Sequence, residues 1–194
     1  MLQGYSGSSF VRYVDDMEVI DLGTGNDTAD WGAASNAVGI DLGTTNTVMA
    51  YLDAAGDPRI QVNAAGENLT PSAVHIDEQK NVLVGTEAIK QAEFGFRIWT
   101  DYKRDIGNNV QYDSVQQIEI TPEVLSTFVL RKLKHDFETA RSSDISNTAI
   151  TYPANFADKR REASLSSGKL ADWPVGPVSY THLRAHETRH DLVC

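Results

Sequence analysis

In Gly39-Ile40-Asp41-Leu42-Gly43-Thr44-Thr45-Asn46-Thr47 one carboxylate sits at the end of an apolar alternation and is followed by small and hydroxyl-bearing residues. Ile40 and Leu42 suit one face of a buried strand, which places Asp41 near the strand end, where a carboxylate can hold a hydrated magnesium ion. Gly43 lets backbone approach a ligand closely. Thr44, Thr45 and Asn46 then offer consecutive N–H groups and hydroxyls to phosphate oxygens. The chemistry so described is anion binding in a tight turn between antiparallel strands, with no helix involved. A plain β-hairpin with a polar tip has the same composition, because Gly and Asn are turn residues anyway.

A second candidate lies near the end of the chain. His186-Glu187-Thr188-Arg189-His190 matches H-E-x-x-H, in which two histidines one helical turn apart bind zinc and the glutamate activates water. His182 adds a third imidazole at the same spacing. Lys103, in Tyr102-Lys103-Arg104, is on its own an ordinary solvated charge.

The elements that must position these residues follow from patterning. From Ala37 onward the reading is α/β, with strands at 38–43, 46–53, 59–62, 72–76 and 81–84 forming a meander that feeds a sheet, and with turns at Ala54–Asp57 and Asp77–Asn81. Helices are expected at 85–94 and 97–105. The clearest helix begins at Thr121-Pro122-Glu123, a capping hydroxyl with proline at the first helical position and an acid in the first turn. Val124, Leu125, Phe128, Val129, Leu133 and Phe137 recur there at three- and four-residue spacing and define the packed face. Asn147–Tyr152 reads as a buried strand ended by Pro153, and Phe156–Leu170 as another helix.

The chain has 194 residues, enough for one domain or slightly more, and 41% hydrophobic content supports a real core. A formal charge of −10, from 17 basic and 27 acidic residues, argues against nucleic acid or an anionic membrane as the main partner. No stretch approaches the roughly 18 apolar residues needed to span a bilayer, and no basic region with an apolar run opens the chain. A soluble cytoplasmic protein is the expectation, and a single cysteine, Cys194, agrees with a reducing compartment. Residues 1–37 read as a disordered leader. They contain a near copy of the first motif, Ile20-Asp21-Leu22-Gly23-Thr24-Gly25-Asn26, but it leads into acidic Asp27-Thr28-Ala29-Asp30, which would repel a nucleotide and forms no second strand.

The whole nonapeptide from Gly39 closely resembles the first phosphate motif of the seventy-kilodalton heat-shock chaperones, whose ATPase domain has the actin-like (ribonuclease H-like) α/β fold shared with sugar kinases. Further segments resemble that family in order: Thr70-Pro71-Ser72, Leu83-Val84-Gly85, Tyr102-Lys103-Arg104 with Ile106-Gly107, and Ala149-Ile150-Thr151-Tyr152-Pro153-Ala154-Asn155-Phe156. The resemblance covers residues 37–172. It implies ATP and Mg as cofactors, with Asp41 anchoring magnesium through water and Gly43, Thr44, Thr45 and Asn46 holding the β- and γ-phosphates. It implies further that Lys103 orients the attacking water near the γ-phosphate, with Arg104 in structural salt bridges. Residues 38–177 would then be the N-terminal part of the nucleotide-binding domain, truncated to the first lobe. The family's second glycine-rich phosphate loop, its Asn-Glu-Pro segment, adenosine pocket and peptide-binding domain would all lie downstream of the last match. The expected function is the ATP-binding part of a molecular chaperone ATPase, inactive as an isolated fragment, with ATP/ADP as ligand and client peptides and co-chaperones as partners only of the full-length parent. Other readings are a sugar or acetate kinase of the same superfamily, which would not carry Thr70-Pro71-Ser72 or the Lys103 context, and a non-catalytic nucleotide-sensing module. The family pattern departs at Trp99-Thr100-Asp101 and at Asn155, where an aromatic is common. Val178–Thr188 resembles one reading frame of a transposon-based sequencing adapter, and Asp191-Leu192-Val193-Cys194 its continuation. Residues 178–194 are therefore set aside as a translation artefact, and the zinc metalloprotease reading of His186–His190 is rejected with them.

Overall fold

The computed structural model describes residues 37–55, 57–115, 117–152 and 156–174. The expected leader before Ala37, the near copy at 20–26, Pro153, Asn155 and the His182, His186 and His190 series lie outside the described residues. Strand β1 (Ala37–Leu42) is the centre of the main sheet. It pairs antiparallel with β2 (Asn46–Leu52) and parallel with β9 (Asn147–Thr151), so its backbone is hydrogen-bonded on both edges. β2 also pairs antiparallel with β3 (Pro58–Ile60) and β4 (Thr70–Pro71). The strand order is β3-β2-β1-β9, with β4 on β2. Val38, Ile40 and Leu42 alternate into the core.

Two short hairpins stand apart from this sheet. β5 (Val74–Ile76) and β6 (Val82–Val84) pair with each other in a sheet of their own, which corrects the expectation of one continuous meander. Helix α1 (Thr86–Glu93) follows them. The helix expected at 97–105 is also corrected: residues 97–101 are not helical, and only Tyr102–Asp105 form a 3₁₀ turn. Trp99 instead bridges Val74, with backbone bonds of 3.0 and 2.8 Å in the two directions, and its ring is buried. Asp101 then takes the left-handed conformation (φ 57°), which no helix interior tolerates. A hairpin of β7 (Asp113–Val115) and β8 (Ile118–Ile120) was not anticipated, since its turn lacks the Gly or Asn that mark hairpins.

Helix α2 (Pro122–Arg141) begins as its cap predicts: the Thr121 hydroxyl accepts from the Val124 amide at 3.3 Å, with Pro122 next. Leu125, Val129, Leu130, Leu133 and Phe137 are buried, whereas Phe128 and Val124 are only partly so, and Leu130 therefore belongs to the face in place of Val124. Asp136 is buried on this helix too, paired with Lys132 and accepting from the Ala64 amide at 3.2 Å, which pins the 63–67 turn. Helix α3 (Asp158–Leu170) packs on α2 through Ser164, Ser167 and Gly168, small residues that permit close approach. The two serine hydroxyls donate to carbonyls one turn back, at 3.0 and 3.1 Å, so burial leaves them satisfied. Trp173 then closes the pair, its indole N–H donating to the Leu130 carbonyl at 3.0 Å. Among the described residues no helix is long and apolar enough to cross a membrane. Leu130→Ala should lower unfolding stability by about 2–5 kcal/mol, seen as an earlier denaturant midpoint at unchanged slope.

Candidate functional site

β1 ends at Leu42 and β2 begins at Asn46, so Gly43, Thr44 and Thr45 form the connection, with Thr45 and Asn46 at its exposed tip. The turn is tight enough that a Cβ on Gly43 would collide with the Asn46 carbonyl oxygen. Only glycine fits. A brace holds the turn from behind: the Ser72 hydroxyl donates to the Gly43 carbonyl at 2.8 Å, and the Ser72 amide donates to the Thr45 carbonyl at 2.8 Å. The Thr47 and Ser72 hydroxyls lie 2.9 Å apart and are both buried. The Thr70-Pro71-Ser72 segment is therefore part of the turn's architecture.

Asp41 is half-buried, and its register opposite Thr151 across the parallel β1–β9 pair decides its environment. The Thr151 hydroxyl donates to Asp41 Oδ1 at 2.7 Å, leaving Oδ2 without a hydrogen-bond partner among the described residues. Lys103 approaches from the 3₁₀ turn. It is only 5% exposed, and its ammonium donates to the carbonyl of Leu42, the residue between Asp41 and Gly43. Burial lowers the Lys103 pKa, Asp41 opposes that shift, and the nearby Arg160 guanidinium adds to it. An ammonium has three protons, so two remain after the bond to Leu42. Arg104, by contrast, is exposed and pairs with Asp101 at 3.4 Å.

The six residues assigned to the phosphate site from the sequence thus lie at one end of the sheet: Asp41, Gly43, Thr44, Thr45 and Asn46 within one six-residue stretch, and Lys103 brought to it across 61 residues. A family model described as "Hsp70 protein" matches residues 37–119 and 93–175. The chain belongs to the Hsp70 family. It is 37% identical over 139 residues to "Chaperone protein DnaK" of Thermotoga petrophila, of Thermotoga sp. strain RQ2 and of Thermotoga maritima, an alignment covering 71% of this chain and 23% of each relative. The chain therefore corresponds to about a quarter of the length of these Hsp70 relatives.

Sequence reasoning missed four contributors to this arrangement. Ser72 and Thr151 lay inside quoted segments, yet nothing in their type signals a brace or a carboxylate partner. Glu123 was read only as a helix-start acid, but its Oε1 accepts from the Gly107 amide at 2.8 Å and so ties α2 to the lysine turn. Arg160 carries three of that turn's carbonyls.

Two expected outcomes follow from this geometry. Gly43→Ala should open the connection, read as loss of the Gly43–Asn46 amide resonances from their wild-type positions while those of α2 stay put. Because the folded-state pKa of Lys103 lies below its ordinary 10.5, the folded protein binds fewer protons than the unfolded chain between those two values. The charged lysine thus costs stability below that window, and the cost is relieved as pH rises through it. Lys103→Met removes the titrating group, so its stability relative to wild type should fall steadily as denaturation is repeated from neutral pH towards 10.5.

Proposed function

We propose that residues 38–177 form the N-terminal part of an actin-like nucleotide-binding domain, truncated to its first lobe, which meets Mg-ATP at the β1–β2 turn. The observation that carries this reading is the buried Lys103 ammonium held on the Leu42 carbonyl, immediately beside the Asp41 carboxylate and the Gly43 turn. A cation at this depth is expensive unless a ligand or a nearby carboxylate uses it. The donor set fits the group. Gly43, Thr44, Thr45 and Asn46 present small side chains and backbone to β- and γ-phosphate oxygens at an exposed tip, and Asp41 Oδ2 is free to receive a water of hydrated magnesium. Bound magnesium would neutralise charge shared between the phosphates. Lys103 keeps two protons for holding an attacking water, which is the catalytic role proposed for it together with Asp41. The parent protein is read as a cytoplasmic chaperone ATPase whose nucleotide state governs client-peptide binding and co-chaperone partners. Matching residues end at 175, which supports keeping 178–194 out of this domain.

With one lobe of the clamp, affinity should be weak, on the order of millimolar. Titrating the full 194-residue chain with Mg-ATP, magnesium pyrophosphate and adenosine, and following backbone amide resonances, tests the reading. Both phosphate ligands should shift Gly43–Asn46, adenosine should not, and Asp41→Asn or Lys103→Met should weaken the response about tenfold, the scale of one charge-assisted contact. Absence of shifts at roughly ten-millimolar ligand, about tenfold above that affinity, would sink the assignment.

A further inference from the structure

Lys103 sits in a four-residue 3₁₀ turn, an element too short to fix a long side chain by itself. The restraint comes from α3. Arg160 donates through Nε to the Ile106 carbonyl at 3.2 Å and through Nη2 to the Lys103 and Arg104 carbonyls at 3.2 and 2.9 Å. Its guanidinium lies 3.9 Å from the centre of the buried Phe156 ring, and the Lys103 ammonium lies 5.8 Å from the same ring. One aromatic ring thus serves both cations. The turn ends at Gly107, whose φ of 77° suits glycine and where a Cβ would lie 3.0 Å from Arg160 Cα. Backbone of α3 and backbone of the lysine turn therefore abut, with the guanidinium fork covering three carbonyls.

We propose that Arg160 is the positioning residue for Lys103, the link through which helix α3 holds the ammonium against the Leu42 carbonyl of strand β1. Charge cannot be the reason for the contact, since two cations near one ring repel, and the Arg160 charge disfavours the Lys103 ammonium. The carbonyl bonds carry it. A planar fork with five donors can serve three carbonyls at once, whereas a lysine amine offers a single point of attachment. Other groups set the turn's outer side: Glu123 of α2 on the Gly107 amide, and Asp105, which accepts from the Tyr112 hydroxyl at 2.7 Å. None of them reaches the carbonyl of Lys103 itself. Arg161, the next residue, is engaged differently, 3.5 Å from Asp158 and 5.5 Å from the centre of the Tyr152 ring.

The functional weight of this link rests on the nucleotide reading above, so the test reads the lysine without any nucleotide. The full 194-residue chain and its Arg160→Gln, Arg160→Lys and Arg161→Gln variants are briefly acylated with an amine-reactive ester at one pH. Peptide mass spectrometry then compares Lys103 with Lys159 and Lys169. Both Arg160 variants should raise relative Lys103 acylation about tenfold, the worth of one or two hydrogen bonds to a charged group, while Arg161→Gln stays at the wild-type value. The Leu42 carbonyl resonance, remote from Arg160 and reporting the ammonium bond, should move in the same two variants. A folded Arg160→Gln protein within about twofold of wild type, inside ordinary surface-substitution scatter, overturns the proposal. So does full protection in Arg160→Lys, which would assign the effect to charge rather than to the fork. Loss of folding in both Arg160 variants, with Arg161→Gln folded, would make Arg160 a general structural residue and equally end the positioning role. Failure of the nucleotide reading looks different: Lys103→Met would leave the Mg-ATP response unchanged, whatever the acylation shows.

Discussion

A buried ammonium resting on the last carbonyl of a central strand is the constraint that the rest of this site obeys. Taking a lysine out of water is unfavourable by several kcal/mol unless hydrogen bonds and a nearby anion offset it. Here the Leu42 carbonyl and the Asp41 charge offset part of that cost, and burial still holds the Lys103 pKa below its ordinary value. Because β1 is bonded on both edges, that carbonyl is fixed in space, and Lys103 must be delivered to it by a turn that makes no other regular structure. The turn is consequently held from two helices, by Glu123 at the start of α2 and by Arg160 in the first turns of α3. Helices, turn and strand then form one connected unit in which no member reaches its position by local preference alone.

Legibility in the sequence tracks how local each feature is. β1, the connection at Gly43 and β2 were readable because alternation, a small-residue turn and antiparallel return all fall within sixteen residues. The start of α2 was readable because Thr121 and Pro122 act on the helix they precede. The segment before Lys103 was misread as helix because its pairing partner, Val74, is remote and its left-handed residue is an aspartate, not a glycine. Leu130 was overlooked because Phe128 and Val129 already filled that turn of the stripe, and α3 gave little amphipathic signal because the face that it buries is serine and glycine.

The individual roles of Ser72, Thr151, Glu123 and Arg160 were invisible for the same reason. Each acts on a carbonyl, a carboxylate or an amide between 16 and 110 residues away, so composition and spacing around them carry no trace of it. Resemblance located segments, while pairing supplied roles. The parallel β1–β9 register, with Asp41 opposite Thr151, is what converts two separate segments into one carboxylate environment.

Occupied carbonyls are what would let a turn without a helix face the anion proposed for it. Carbonyl oxygens are the negative ends of the peptide dipole, and left unpaired beside a phosphate they would repel it. In this chain the carbonyls of Leu42, Gly43 and Thr45 each accept from a donor brought from outside the turn: the Lys103 ammonium, the Ser72 hydroxyl and the Ser72 amide. The negative ends are thus occupied inside the protein by one full positive charge and two neutral donors. A helix N-terminus achieves the same bias through aligned dipoles; here the bias is assembled from a lysine and a serine drawn from two other parts of the chain. The anion-binding character proposed for the turn therefore belongs to the brace as much as to the Gly-Thr-Thr-Asn sequence itself. The same motif without Ser72 and Lys103 behind it would be a polar hairpin tip and nothing more.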